Sequence, residues 1–216
     1  RLGGGSYSGN IANSGLLIYS GTNNQTLSGI LSGNGALTHN NTSTLTLSGN
    51  NTYSGTTIIS TGTLQIGAGG TSGALNANST ITNNGTLAFN RSNTITQGTD
   101  FASVLTGAGN ITQAGSGTLL LTGNNTYTGT TTLSAGTLEV GSAGRLGGGT
   151  YAGNISNSGT LIYSGSNAQT LSGVISGTGA LTHNATSTLT LSNAANTYNG
   201  TTTINAGTLA VTGSIS

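Results

Sequence analysis

The chain of 216 residues repeats itself at an interval of 144 residues. The segment RLGGGSYSGNIANSGLLIYSG at Arg1 returns as RLGGGTYAGNISNSGTLIYSG at Arg145, and 38 of the first 49 positions are identical at that offset. Long internal repeats are typical of arrays in which each unit buries its apolar face against its neighbours. The repeat therefore predicts an extended solenoid, and it disfavours an enzyme built around one unique cleft.

A short phrase recurs inside the repeat: an aliphatic residue, about three polar residues, Gly, Thr or Ser, Leu, any residue, and a second apolar residue. Residues 155–163 read ISNSGTLIY, and residues 133–140 read LSAGTLEV. The Leu-x-apolar alternation has the two-residue period of a strand with one buried face. Gly with Asn or Ser between these runs marks turns. The pattern predicts an all-β chain whose successive turns stack in parallel and bury each other's apolar faces.

The intervals between the leucines of this phrase cycle in threes, which predicts units of three turns near residues 1–69, 70–144 and 145–216. We predict a single continuous β-solenoid of about nine turns. One interior column is predicted to contain the leucines of the phrase: Leu17, Leu45, Leu64, Leu87, Leu119, Leu138, Leu161, Leu189 and Leu209. A second interior column is predicted to contain the aliphatic residues that open it: Ile11, Leu37, Ile59, Ile81, Ile111, Leu133, Ile155, Leu181 and Ile204.

Charged residues make up 2% of the chain, whereas about 25% is usual for soluble domains. Nucleic-acid binding needs several cations in one patch, and so does attachment to an anionic membrane surface. Three basic residues cannot supply such a patch, so we expect no nucleic-acid partner. Cysteine is absent, which excludes a disulfide framework. Because residue 1 already lies inside a repeat, we expect these residues to be part of a longer protein.

The chain offers few residues for chemistry. Asp100 and Glu139 are its two carboxylates, and neither recurs in the other units. We predict that Glu139 points outward from a strand and that Asp100 lies in a bulge at residues 99–102. His39 and His183 are copies of each other, are predicted to lie in turns, and have no second ligand nearby for a metal ion. The sequence predicts neither an enzyme nor a bound cofactor.

Three tyrosines recur once per unit in the phrase Asn-Thr-Tyr-x-Gly: Tyr53, Tyr127 and Tyr198. If they point outward, they form an aromatic row suited to stacking on sugars or on a neighbouring rod. If they point inward, they fill a wide corner of the coil, and we favour this structural role. The outward row is the candidate contact surface that the sequence offers.

Residues 121–141, LTGNNTYTGTTTLSAGTLEVG, resemble the passenger-associated repeat of bacterial autotransporter proteins, and residues 48–67 and 196–209 are similar to it as well. The resemblance implies a right-handed parallel β-helix that is secreted through the outer membrane of a Gram-negative bacterium and displayed on the cell surface. It also implies an outer-membrane anchor in another part of the protein.

Three functions follow as hypotheses. The first is an adhesive rod that mediates attachment, aggregation or biofilm matrix formation through weak contacts with like chains or with host or matrix glycans. The second is an extracellular filament that assembles from stacked or tandem solenoids, because unpaired strand edges at the ends can pair with further copies. The third, a polysaccharide-processing β-helix, is disfavoured because such enzymes need clustered carboxylates.

Overall fold

The computed structural model describes residues 2–102 and 104–215. It is an all-β parallel solenoid of about 10 turns, which confirms the predicted fold and adds about one turn to the nine expected. The glycine-rich segment at the start of the first and third units forms a short 3₁₀ helix in both copies, at Gly3–Gly5 and Gly147–Gly149. Arg1, which the sequence aligns with Arg145, lies outside the described residues.

Twenty-two short strands make up the described parts of the coil. In chain order they are β1 Ser6–Tyr7, β2 Ile11–Ala12, β3 Leu16–Tyr19, β4 Gln25–Leu27, β5 Leu31–Ser32, β6 Ala36–Leu47, β7 Thr57–Ile66, β8 Ile81–Asn83, β9 Thr86–Phe89, β10 Ile95–Thr96, β11 Leu105–Thr106, β12 Asn110–Gln113, β13 Thr118–Leu121, β14 Thr131–Leu133, β15 Thr137–Ser142, β16 Thr150–Tyr151, β17 Ile155–Asn157, β18 Thr160–Gly165, β19 Gln169–Leu171, β20 Ile175–Ser176, β21 Ala180–Leu191 and β22 Thr202–Val211.

Each turn of the solenoid passes three sides, and each strand pairs in parallel with the strand one turn later. Three residue pairs between two successive turns define the sides. The pair on the first side is Ile81–Leu105, the pair on the second is Leu87–Ile111, and the pair on the third is Ile95–Leu119. Paired residues are 19 to 24 positions apart along the chain. Inward and outward residues alternate along the strands, as in Thr118–Leu121, where Leu119 and Leu121 are buried.

The predicted single column of nine leucines is wrong. Leu45, Leu64 and Leu87 stack on the second side, whereas Leu119, Leu138 and Leu161 stack on the third. Leu189 pairs with Leu209 on the first side, and Leu17 pairs there with Leu37. The reason is that once per unit the leucines are 28 or 32 positions apart, which is more than one turn. After each such step, the leucines of the phrase therefore lie on the next side of the coil.

The second predicted column is also wrong, for the same reason. Ile11 pairs with Leu31, and Ile59 lies between His39 and Asn83. Most of the predicted residues nevertheless face the core: of the nine leucines, seven are at most 3% exposed, and Leu17 and Leu209 of the first and last turns are half-buried. Each buried leucine stabilises the coil by about 1.5–3 kcal/mol.

In one copy of the phrase per unit, the glycine has a conformational role. Gly62, Gly136 and Gly207 precede the Thr-Leu pair in their units and have φ values of 69°, 61° and 70°. Positive φ is costly for residues with a Cβ atom. These glycines therefore allow the bend that brings the following leucine into the core.

Candidate functional site

The three repeated tyrosines point into the coil. Tyr53 and Tyr127 are 0% exposed, and Tyr198 is 2% exposed. The hydroxyl of each tyrosine is hydrogen-bonded to the side chain of the threonine four residues later: Tyr53 to Thr57 at 2.5 Å, Tyr127 to Thr131 at 2.8 Å and Tyr198 to Thr202 at 2.8 Å. These bonds allow a phenol group to be buried without an unpaired polar atom.

The candidate outward aromatic row is therefore wrong, and the favoured inward orientation is the one found. The backbone at each tyrosine is hydrogen-bonded to one residue of the preceding turn, which is Leu31, Leu105 or Ile175. These three residues lie on different sides of the coil, and so do the tyrosines. A signal for the inward orientation is present in the sequence. In all three phrases a threonine stands four residues after the tyrosine, where its hydroxyl can satisfy the buried phenol.

The packing at Tyr127 has consequences for its ionisation. Its ring meets the ring of Tyr151 edge to face at 5.4 Å, and Thr131 lies within 2.8 Å of both phenol oxygens. Burial, and then the neighbouring Tyr151, raise the pKa of Tyr127 well above its usual value. Burial likewise raises the pKa of Tyr53, Tyr151 and Tyr163. These four phenols stay neutral in the fold at pH values where an unfolded chain ionises.

Stability is expected to fall at alkaline pH for this reason. The unfolded chain releases tyrosine protons near pH 10, whereas the folded chain retains them. The stability that the neutral phenols contribute is therefore fully present below pH 10, and the free energy of unfolding decreases as the pH rises above it. At pH 11, Tyr127→Phe should remove about 1.4 kcal/mol of this loss. Chemical denaturation of both proteins between pH 8 and 11 measures the difference.

Thr131→Val is the matched control, because it removes the hydroxyl partner but leaves the phenol in place. Its stability should be lower at every pH, and its alkaline loss should remain. An equal slope for Tyr127→Phe and the unmodified chain above pH 10 would contradict the contribution of Tyr127.

The two histidines are buried within strands. His39 and His183 are 0% exposed and lie in β6 and β21, so their predicted placement in turns is wrong. In each case Nε2 lies 2.9 Å from the carbonyl oxygen four residues later, which belongs to Ser43 or Ser187. Each ring thus holds a bend of its own strand, where the register with β7 or β22 shifts.

The carboxylates are held by contacts within the fold. Glu139 points outward from β15, where its Oε1 accepts a hydrogen bond of 2.5 Å from the Ser164 hydroxyl. Asp100 accepts a 2.7 Å bond from the Thr96 amide and lies 3.8 Å from Nη1 of Arg91. Arg91 also donates to the carbonyl oxygen of Gly73. These contacts stabilise the middle unit.

The bulge at residues 99–102 is only partly an outward loop. The side chain of Asp100 is 28% exposed, but Phe101 and Ala102 are at most 1% exposed. The ring of Phe101 packs 4.8 Å from that of Phe89. Within residues 2–102 and 104–215, no three His, Cys, Asp or Glu side chains come close enough to hold a metal ion. The same residues contain no helix that is long and apolar enough to cross a membrane.

The outer surface of the second side carries stacked hydroxyl groups. Four successive turns place Thr112, Thr132, Ser156 and Ser176 in register, and we call these residues the hydroxyl row. Thr112, Thr132 and Ser176 are partly exposed and Ser156 is exposed, and neighbouring strands lie about 4.8 Å apart. The hydroxyl row is a regular, uncharged surface of hydrogen-bond donors and acceptors.

Comparison with known proteins agrees with the solenoid. The family described as passenger-associated-transport-repeat matches residues 37–66, 111–140 and 186–211. The adhesin BmaC autotransporter of Brucella suis biovar 1 (strain 1330) is 45% identical over 163 residues, which is 76% of this chain and 5% of that protein. The chain thus spans a small fraction of the length of this relative.

No solved structure matches the chain. The three family matches begin on different sides of the coil, because Leu37 belongs to the first side and Ile111 to the second. Each match nevertheless includes one of the glycines Gly62, Gly136 and Gly207 and the core-facing leucine that follows it. The repeats and the alignment together identify this chain as passenger-domain sequence of the autotransporter type.

Proposed function

We propose that the chain is part of an adhesive rod on the bacterial surface and that the hydroxyl row is one of its contact surfaces. The observation that carries the proposal is the register of Thr112, Thr132, Ser156 and Ser176 on one outer side. The similarity to an autotransporter adhesin supports the adhesive role. The same similarity supports export and display of the rod at the cell surface.

The mechanism that this geometry favours is repeated weak binding. A single hydroxyl contact contributes little net free energy in water, but a row of contacts along a rigid surface acts with a high effective concentration. The partners of suitable chemistry are neutral and rich in hydroxyl or amide groups, such as glycans or the outer sides of neighbouring rods. Low charge removes the repulsion that would otherwise separate neighbouring rods.

A bead assay tests the role of the hydroxyl row. The chain is coupled to beads, and both bead clustering and retention on a neutral polysaccharide matrix are measured. Thr112→Lys combined with Thr132→Lys places two like charges on the hydroxyl row, and we expect both signals to fall about tenfold because multiple contacts are lost together. Thermal melting should change little because both positions face outward.

The matched control is Thr82→Lys with Thr106→Lys, which are also paired, half-exposed threonines in adjacent turns but lie on the first side. The control should retain the signals of the unmodified chain. Equal loss in both double variants would show a general effect of charge and would refute a contact role for the hydroxyl row.

A second candidate function is the self-assembling extracellular filament. It is supported by the low charge of the chain, in which 2% of residues are charged, because little electrostatic repulsion then opposes contact between like rods.

A further inference from the structure

One corner of the middle unit differs from its copies by a residue with chemistry of its own. Residues 83–85 read Asn-Asn-Gly, whereas residues 13–15 and 157–159 of the first and third units read Asn-Ser-Gly. In an Asn-Gly pair the backbone nitrogen of glycine is the nucleophile closest to the asparagine side chain, and no Cβ atom of glycine hinders its approach. The middle unit thus places an asparagine, Asn84, where its copies have serine.

The backbone nitrogen of Gly85 has no hydrogen-bond acceptor among the described residues. In the first unit the Gly15 amide donates a 3.1 Å hydrogen bond to Oδ1 of Asn13, and the same bond recurs in the third unit. The middle unit lacks this bond, and Oδ1 of the fully buried Asn83 is left without a partner as well. The glycine nitrogen is therefore unpaired in the unit that carries Asn84.

The side chain of Asn84 is placed to accept an attack at its amide carbon. The residue is exposed, and its Oδ1 accepts a 3.2 Å hydrogen bond from the amide of Ala108 in the next turn. A backbone N–H at this oxygen stabilises the negative charge that develops there during the attack. The side-chain nitrogen donates to no group in the described part of the chain, so it is free to leave into solvent.

We propose that Asn84 is a site of spontaneous deamidation. The Gly85 nitrogen bonds to Cγ of Asn84, the bond from Cγ to the side-chain nitrogen breaks, and the proton of the Gly85 amide leaves with that nitrogen as ammonia. Water then opens the resulting succinimide ring at either of its carbonyl groups. One product has aspartate at position 84. The other has isoaspartate, in which the chain continues through the former side chain. The reaction needs only water.

The fold requires the glycine of this pair. A Cβ atom on Gly85 would lie 2.6 Å from the carbonyl oxygen of Gly62 in the preceding turn. In the next turn, a Cβ atom on Gly109 would lie 2.4 Å from the carbonyl oxygen of Gly85. The close stacking of the turns therefore keeps a glycine at position 85. The reactivity of the corner is decided by the residue before it.

A second Asn-Gly pair provides an internal control. Asn34 is exposed like Asn84, but the Gly35 amide donates a 2.9 Å hydrogen bond to the carbonyl oxygen of Asn13. This bond must break before the Gly35 nitrogen can attack. We therefore expect Asn34 to deamidate about fivefold more slowly than Asn84 in the folded chain, which is the factor that corresponds to one ordinary hydrogen bond.

Peptide mapping of the aged protein tests the site. The folded chain is incubated at neutral pH, digested with pepsin and analysed by tandem mass spectrometry, which assigns aspartate and isoaspartate to each position. Both products should accumulate at position 84 before they appear at position 34. In denaturant the two positions should convert at similar rates, because the fold alone distinguishes them. Asn84→Ser, which restores the residue of the other two units, should remove the signal at position 84 and change the melting temperature little.

Isoaspartate at this corner is expected to loosen the stack. The Asn84 amide donates a 2.8 Å hydrogen bond to Ile59 of the preceding turn, and the Gly85 carbonyl oxygen accepts a 2.7 Å bond from Asn110 of the next. Isoaspartate lengthens the backbone between these two bonds, so both cannot keep their geometry. The aged chain should therefore melt at a lower temperature than Asn84→Asp, which carries the same charge on an unaltered backbone. Equal melting of the two would refute this effect on the stack.

Three outcomes overturn the proposed site. The first is an Asn84 that stays intact in the folded chain while Asn34 converts. The second is an equal rate at the two positions in the folded chain, which would mean that the unpaired Gly85 nitrogen and the Ala108 amide have no influence. The third is aspartate without isoaspartate at position 84, which would show direct hydrolysis of the side chain by water in place of attack by Gly85.

Discussion

Ile111→Asp is expected to unfold the middle turns of the solenoid. Ile111 is fully buried and lies between Leu87 of the preceding turn and Thr131 of the next. An aspartate at this place has no cationic partner, and burial of an unpaired charge costs about 4 kcal/mol or more. Because each turn of a solenoid is stabilised mainly by its two neighbours, the loss spreads to the turns that contain Leu87 and Thr131.

Circular dichroism and limited proteolysis measure this effect. The variant should lose strand signal at a lower temperature and should be cut between residues 85 and 135. Thr112→Asp is the control, because Thr112 is the adjacent residue of the same strand and points outward. It should change the free energy of unfolding by less than about 0.5 kcal/mol. Similar melting of the two variants would show that Ile111 does not support the stack.

The fold was predictable because two independent patterns indicate it. The Leu-x-apolar alternation specifies strands with one buried face, and the 144-residue repeat specifies a stacked array. Both depend on local spacing, which the sequence displays directly. The parallel pairing of Leu138 with Leu161 is an example, since these leucines are 23 residues apart and one turn apart.

The arrangement of the leucines into columns was not predictable from their recurrence alone. The step from Leu87 to Leu119 is 32 residues, and Leu87 pairs with Ile111 instead. A turn length must be known before such a step can be assigned to one side or the next. That length depends on how the corners are packed, and the corners contain buried side chains such as Tyr127 and Phe101.

The candidate contact surface was predicted less well than the fold. Tyrosine is common both at contact surfaces and in cores, so its recurrence at positions 53, 127 and 198 did not decide its direction. In the structure, the hydrogen bond from each phenol to its threonine partner allows the tyrosine to point inward. The hydroxyl row depends on which residues stack across turns, and Thr112 and Ser156 are brought together by the register of β12, β14 and β17.

Gly129→Ala is expected to cost about 3 kcal/mol, which is typical of forced overpacking. Gly129 stacks directly against Gly109 of the preceding turn, and a Cβ atom on Gly129 would lie 2.3 Å from the carbonyl oxygen of Gly109. Gly129 in turn lies against Gly153 of the next turn, where a Cβ atom would be 2.3 Å from the carbonyl oxygen of Gly129. Relief of the clash needs a backbone shift, and that shift would lengthen the parallel hydrogen bonds between β12 and β14.

Gly70→Ala provides the matched control. No atom lies within 4 Å of the place where a Cβ atom on Gly70 would stand, and its φ is not in the left-handed region. This variant should keep its free energy of unfolding within about 0.5 kcal/mol. Denaturant titration of both variants measures the contrast. An equally small effect at Gly129 would show that the turns can separate locally, which a tightly stacked coil does not allow because its interior is close-packed.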